Sequence, residues 1–183
     1  MAISWASAGV DPKRRFKFKL KLGTIAEYYV KTATMPKANI SVIEHSYFDY
    51  TFKFPGRVTW DPISVTLVAP SNGAEDPTDL LYQFIREAGY YFPDEATPSL
   101  TSQSLSKKGF EKAFGGKCYL QLLDGNGNEI EEWQLRNPFL TNVDYGGSLD
   151  YTSDEMLELS LEITFDWAQK IKSGGGANPT PGG

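Results

Sequence analysis

From Leu157 to Trp167 the chain alternates without a fault. Leu157, Leu159, Leu161, Ile163, Phe165 and Trp167 form one set, and Glu158, Ser160, Glu162, Thr164 and Asp166 the other. Period two marks a strand with one buried and one wet face, since a helix would scatter both sets around its circumference. The pattern predicts a single strand about 36 Å long at ~3.3 Å per residue, well beyond the usual length. The apolar set is the expected core, worth on the order of 10 kcal/mol before the entropy of ordering it. The other set holds carboxylates and hydroxyls with no lysine or arginine among them. An ordinary solvated sheet face accounts for such a pattern. The sharper reading is a surface lining a space from which negative charge is repelled.

Most of the remaining chain also reads as strands. Phe16, Phe18, Leu20 and Leu22 alternate with Lys17, Lys19 and Lys21 up to Gly23. That basic stripe either pairs with the acidic one, across a sheet or a subunit boundary, or blunts an exposed edge. A further extended run is expected from Glu27 to Met35. The stretch from Pro36 to Gly56 is rich in aromatic and β-branched residues, as in a long hairpin. Its apolar content exceeds what a free loop shows, so either it folds back on the core or a partner covers it. Another strand is expected from Trp60 to Val68, and a hairpin over Lys117–Leu123 and Glu129–Arg136. Asn137 to Gly147 reads as a connection.

One helix is well signalled: Asp76 as N-cap, Pro77 in the first position, then Leu80, Leu81, Phe84, Ile85 and Ala88 at helical spacing, closed by Gly89. The segment from Tyr90 to Gly116 is loop-like, with room for a short helix near Lys107 to Phe114. The expected class is mainly β, an antiparallel sandwich or barrel with one short α-helix. An arm over 1–14, one domain over 15–172 and a Gly/Pro-rich tail over 173–183 complete the organisation.

With 183 residues the chain suits one domain with a real core. A net charge of -5 argues against a groove that grips phosphates. The lone Cys118 excludes an internal disulfide framework and reads as a small core hydrophobe. No charged leader with an apolar run opens the chain, and no stretch approaches the ~20 apolar residues of a membrane span. A reducing, aqueous compartment is the expectation.

Chemistry is sparse. Asp124-Gly125-Asn126-Gly127-Asn128 imitates the start of a calcium loop. It then fails, with Glu129 where the sharp-turn glycine belongs and Leu135 where the bidentate glutamate belongs. A plain hairpin turn is favoured. His45 is the only histidine, and neither a Gly-x-Ser-x-Gly elbow nor a phosphate-cradling loop accompanies it. Glu131 and Glu132 are adjacent in a strand and point to opposite faces, so they cannot flank one glycosidic bond. Asn39-Ile40-Ser41 fits a glycosylation acceptor by chance. No enzyme, cofactor or metal centre is expected.

Several short stretches, in order, resemble the tail tube proteins of contractile-tailed bacteriophages. They are Ala33-Thr34-Met35-Pro36, then Phe54-Pro55-Gly56-Arg57 with Trp60-Asp61 and Ile63-Ser64-Val65-Thr66-Leu67. Asn137 to Val143 and Glu155 to Trp167 complete the series. The segment 90–116 and the tail after Lys172 depart from the family's pattern. The resemblance implies a β-sandwich that closes with five further copies into a hexameric β-barrel ring, the rings stacking as a tube inside a contractile sheath. It implies Glu158, Ser160, Glu162 and Thr164 facing the lumen, with DNA only in transit. It places Met35, Asn39, Ile40, Val42, Tyr47, Phe48 and Phe52 between rings. The implied partners are further copies, sheath, tube initiator or baseplate and terminator, with no membrane, in a virion tail. Two other readings stand beside it. One is an initiator, pyocin or type VI secretion tube of the same fold. The other is a carbohydrate-binding sandwich stacking sugars on Tyr47, Tyr50, Tyr90 and Tyr91.

Overall fold

The computed structural model describes residues 13–70, 76–91 and 104–173. Most of the expected arm, nearly all of the tail and part of the 90–116 segment lie outside the described residues.

Among the described residues ten strands and two α-helices follow one another in this order: β1 (Phe18–Leu22), β2 (Val30–Ala33), β3 (Lys37–Tyr47), β4 (Tyr50–Asp61), β5 (Ile63–Val68), α1 (Pro77–Glu87), α2 (Lys107–Ala113), β6 (Cys118–Leu123), β7 (Glu129–Arg136), β8 (Phe139–Asp144), β9 (Glu158–Thr164) and β10 (Trp167–Ser173). One antiparallel sheet has the order β1-β6-β7-β10 and a second β2-β5-β9-β8, while β3 and β4 pair only with each other. No closed barrel forms among the described residues. The class is mainly β, with a second helix where one was expected.

Both four-stranded sheets feed one core. Leu20, Leu22, Leu120 and Leu135 come from the first, and Ile63, Val65, Leu67, Leu159, Leu161 and Ile163 from the second. The helices add Leu81, Phe84, Phe110 and Phe114. Phe84 meets Phe114 edge-on at 5.2 Å, and Phe110 lies 6.4 Å from Phe139 at the start of β8. Asp76 caps α1 by accepting from the Thr78 amide at 2.9 Å, and Ser106 caps α2 by accepting from that of Gly109 at 3.0 Å. Cys118 is part of this core, and burial pushes its thiol up to about 12. It is an inert side chain.

The long alternating segment is two strands, not one. β9 ends at Thr164 and β10 begins at Trp167, in the other sheet. Asp166 is the corner: its amide donates to the Arg136 carbonyl at 3.0 Å. Its carboxylate accepts from Lys107 at 2.5 Å and from Asn137 at 2.7 Å. Those bonds, Lys107 first, hold the Asp166 carboxyl below its ordinary value. The corner shifts the alternation by one residue. Leu159, Leu161, Ile163 and Phe165 are buried, but after it Ala168 points inward and Trp167 is 48% exposed. Leu157, before β9 begins, is 39% exposed and lies over Gly146. Neither belongs to the core expected of them.

Other boundaries shift as well. Glu27–Tyr29 is a 3-10 turn before β2. Trp60 and Asp61 finish β4, with Pro62 separating them from β5. The expected connection after Asn137 contains β8, an edge strand on β9.

Glu131 is the one buried carboxylate among the described residues, 6% exposed on the inward side of β7. Burial alone would raise its pKa. Hydrogen bonds from Lys13, Trp133 (2.7 Å) and Lys170 outweigh that and hold it below the ordinary 4.5. A depressed carboxylate contributes stability that is fully present above the unfolded value and lost as pH falls through the folded one. Glu131→Gln should therefore lower the melting temperature at pH 7, by leaving Lys13 and Lys170 without the carboxylate they pair with. It should also flatten the acid limb of the stability profile below about pH 4.5. Parallel pH-dependent thermal melts check both; parallel acid limbs for the two proteins would count against the assignment.

Candidate assembly surfaces

Two surfaces stand out on this fold. Among the described residues no group of His, Cys, Asp and Glu has the geometry of a metal site. His45 lies on the β3–β4 hairpin across from Phe52. The Asp124 turn satisfies itself: Asp124 Oδ1 accepts from the Asn126 and Asn128 amides at 2.8 Å each. Glu131 points inward in register with Leu122, and Glu132 outward with Gln121. Asn39 donates to Asp61 at 2.5 Å. Tyr47 and Tyr50 face each other beside the hairpin turn, whereas Tyr90 and Tyr91 follow α1. No helix is long and apolar enough to cross a membrane among the described residues.

The first surface is the β3–β4 hairpin. It does not fold back on the core: every residue from Ile40 to Pro55 is exposed. Residues directly opposite in an antiparallel pair share a face. Ile43 pairs with Phe54, His45 with Phe52 and Tyr47 with Tyr50, so these form one apolar side. Glu44 with Lys53 and Ser46 with Thr51 form the other side, closed by contacts of 3.4 Å in each pair. Simple alternation would put Ile40 on the polar side. The register shifts by one residue between Ile40 and Val42, Ile40 facing Val58 and Val42 facing Pro55, and the extra residue is on β4, so Ile40 stays on the side of Val42 and Glu44 and brings Val58 with it. Gly56 and Arg57 together oppose Ser41 in this bulge, and the Ser41 hydroxyl accepts from the Arg57 amide at 2.9 Å. Gly56 makes room for it, since a Cβ there would stand 2.3 Å from Ser41 Oγ. Ile40 and Val42 therefore lie on the side away from Tyr47 and Phe52, and Asn39 on the same side as those two.

The second surface is the outward face of β2-β5-β9-β8. Glu162 stands between Ser64 and Asn142, and Ser160 between Thr66 and Asp144. Thr164 Oγ1 lies 3.2 Å from that of Thr141. Glu158 is ion-paired with Lys31 on β2. Asp166 has left this face for the corner. Asp144 joins it, a residue that reading β9 alone does not find because it belongs to a strand hidden in an apparent connection. The lysines of β1 are elsewhere. Lys19 and Lys21 reach Glu27 at 3.2 and 3.9 Å, and Lys17 donates to the Gly125 carbonyl at 2.8 Å. The basic and acidic stripes belong to different sheets and do not pair within the chain.

No family model and no curated protein matches this sequence. Solved structures do match. A chain in the anti-feeding prophage tube-terminating cap aligns at TM-score 0.64 and 19% identity, over 94% of this chain and 100% of that one. A chain in the sheath/tube terminator of an extracellular contractile injection system, in its extended state, aligns at 0.62 and 17%, over 89% and 99%. One in the extended sheath–tube complex of such a system aligns at 0.59 and 16%, over 93% and 98%. The protein has the fold of components of contractile injection particles.

Proposed function

We propose that this protein is a non-enzymatic tube-type subunit of a contractile, phage-tail-like particle, assembling as stacked hexameric rings around a conduit. The observation that carries the reading is the sheet β2-β5-β9-β8. Both its edges, β2 and β8, pair on one side only, and its outward face is polar and acidic. Its strands alternate in direction throughout. Copies related by rotation would then set β8 of one antiparallel to β2 of the next, continuing the ladder until it closes without an edge. The wet face would line the closed sheet. Glu162 and Asp144 would become bands of negative charge, with Ser160 and Thr164 between them.

In such a conduit a polyanion such as DNA is held off the wall, because a wall lysine that reaches a phosphate releases counterions and retards transit. Sheath, initiator and terminator proteins would be the outer and axial partners, and the virion tail the location. Negative-stain images of the purified protein test assembly: rings or tubes are expected, and a monodisperse monomer at every concentration would refute it. Glu158→Lys with Glu162→Lys should leave the tubes intact and slow cargo release, most at low salt where screening is weakest. Unchanged release kinetics at low ionic strength would return that face to ordinary solvent.

A further inference from the structure

We propose that Lys31 of one copy and Asp144 of the next form an ion pair across the seam between β2 and β8. This rests on the tube reading above and assigns the register in which those two edges meet. The charged residues of β2, β5, β9 and β8 are Lys31, Glu158, Glu162 and Asp144, so Lys31 is the one cation on these strands. A bulge sets it on the wet face. The β2–β5 register shifts between Val30 and Thr32, and Val30 and Ala33 both pack against the core. Lys31 and Thr32, between them, are both exposed, so the edge strand presents two consecutive side chains outward. Lys31 reaches over β5 to Glu158, and its side chain is still 48% exposed.

Asp144 occupies the opposite edge at the same level. Thr32 faces Thr66, Thr66 faces Ser160 and Ser160 faces Asp144, one row across the whole sheet. Within a chain the ends of that row lie about 14 Å apart, the span from β2 to β8, farther than a lysine and an aspartate reach together. When β8 of one copy lies antiparallel beside β2 of the next, those two ends become neighbours. Asp144 Oδ1 accepts from the Gly146 and Gly147 amides at 3.1 and 2.8 Å, which fixes the carboxylate at the edge. A carboxylate has a second oxygen to offer a cation.

Closing the sheet gathers the carboxylates of every copy on one concave face, and a cation at each seam offsets that repulsion. The pair also covers the lysine itself. On a wall that must not hold a polyanion, an uncovered lysine is a sticking point. Glu158 flanks Lys31 from its own chain, and Asp144 flanks it from the next.

The test mixes the wild-type chain with an isotopically labelled copy of itself. A carbodiimide, which joins a lysine amine to a touching carboxylate, is added and the products are mapped by mass spectrometry. Lys31 should join Glu158 within its own chain, and Asp144 only between chains. Interchain products from Lys31 to Glu162, or rings with no interchain product at Lys31, would overturn the pair and leave the tube reading standing. A monomer at every concentration, with no interchain product, would overturn both. Lys31→Gln and Asp144→Asn should each raise the concentration needed for rings roughly tenfold, because every seam of a ring repeats the loss. The asparagine keeps an oxygen for the two glycine amides, so the turn is spared. The double variant should assemble about as well as either single one, whereas additive losses would count against the coupling. Glu158→Gln, which does not cross the seam, should change that concentration by no more than about twofold.

Discussion

Leu161→Asp is expected to abolish folding. Leu161 is 1% exposed, in register between Val65 on β5 and Val143 on β8. A carboxylate there would sit within the apolar core, shielded from solvent. It is either ionised at prohibitive cost or neutral and still short of hydrogen bonds. Such substitutions exceed about 4 kcal/mol, a large share of the ~5–15 kcal/mol that holds a typical domain together. The protein should be insoluble, or lack a cooperative melt by circular dichroism. Glu162→Gln, one residue on and exposed, should shift stability by no more than about 0.5 kcal/mol. A wild-type melting temperature for Leu161→Asp would mean that the inward and outward faces of β9 are reversed.

Replacing residues 41–57 by Asn-Gly should have the opposite profile, a folded body that does not assemble. The replacement joins Ile40 to Val58, which already face each other, so a tight turn closes the shortened ribbon. Of the side chains removed none contributes to the core. The melting temperature should stay within a few degrees of wild type. The removed stripe contains Phe52 and Phe54, each more than half exposed. An aromatic side chain buries ~150–250 Å² when covered, so losing two at ~25 cal/mol per Å² removes several kcal/mol of association energy. The concentration needed for assembly should rise at least about a hundredfold. Sedimentation velocity across a dilution series reads it. Unimpaired tubes would show that the apolar stripe is not an assembly surface.

Local chemistry made a good part of this fold legible. The alternation at Leu159, Leu161, Ile163 and Phe165 identifies the buried side of β9, because period two admits one geometry once one face is apolar. Asp76, Pro77 and Gly89 delimit α1 because caps act within a turn of the helix end. The unusual apolar content of the hairpin is readable for the same reason, but composition leaves open whether it folds back on the core or is covered by a partner.

Tertiary contacts decided the rest. An unbroken alternation from Leu157 to Trp167 gives no sign that the chain changes sheets at Asp166. The corner depends on Lys107 and Asn137, which are distant in sequence and arrive only when α2 and the start of β8 pack beside it. That corner moves Trp167 from the core to the surface. β8 was hidden because an edge strand paired on one side needs no apolar periodicity of its own, and with it went Asp144. The facing of Val58 with Ile40, and not with the Phe54 side that plain alternation along β4 would give, depends on Gly56 and Arg57 bulging opposite Ser41, a cross-strand fit between residues 15 positions apart. Sequence patterning reports which side chains avoid water. Which surface they meet, and where an edge is left open for another copy, is decided by contacts between segments far apart along the chain.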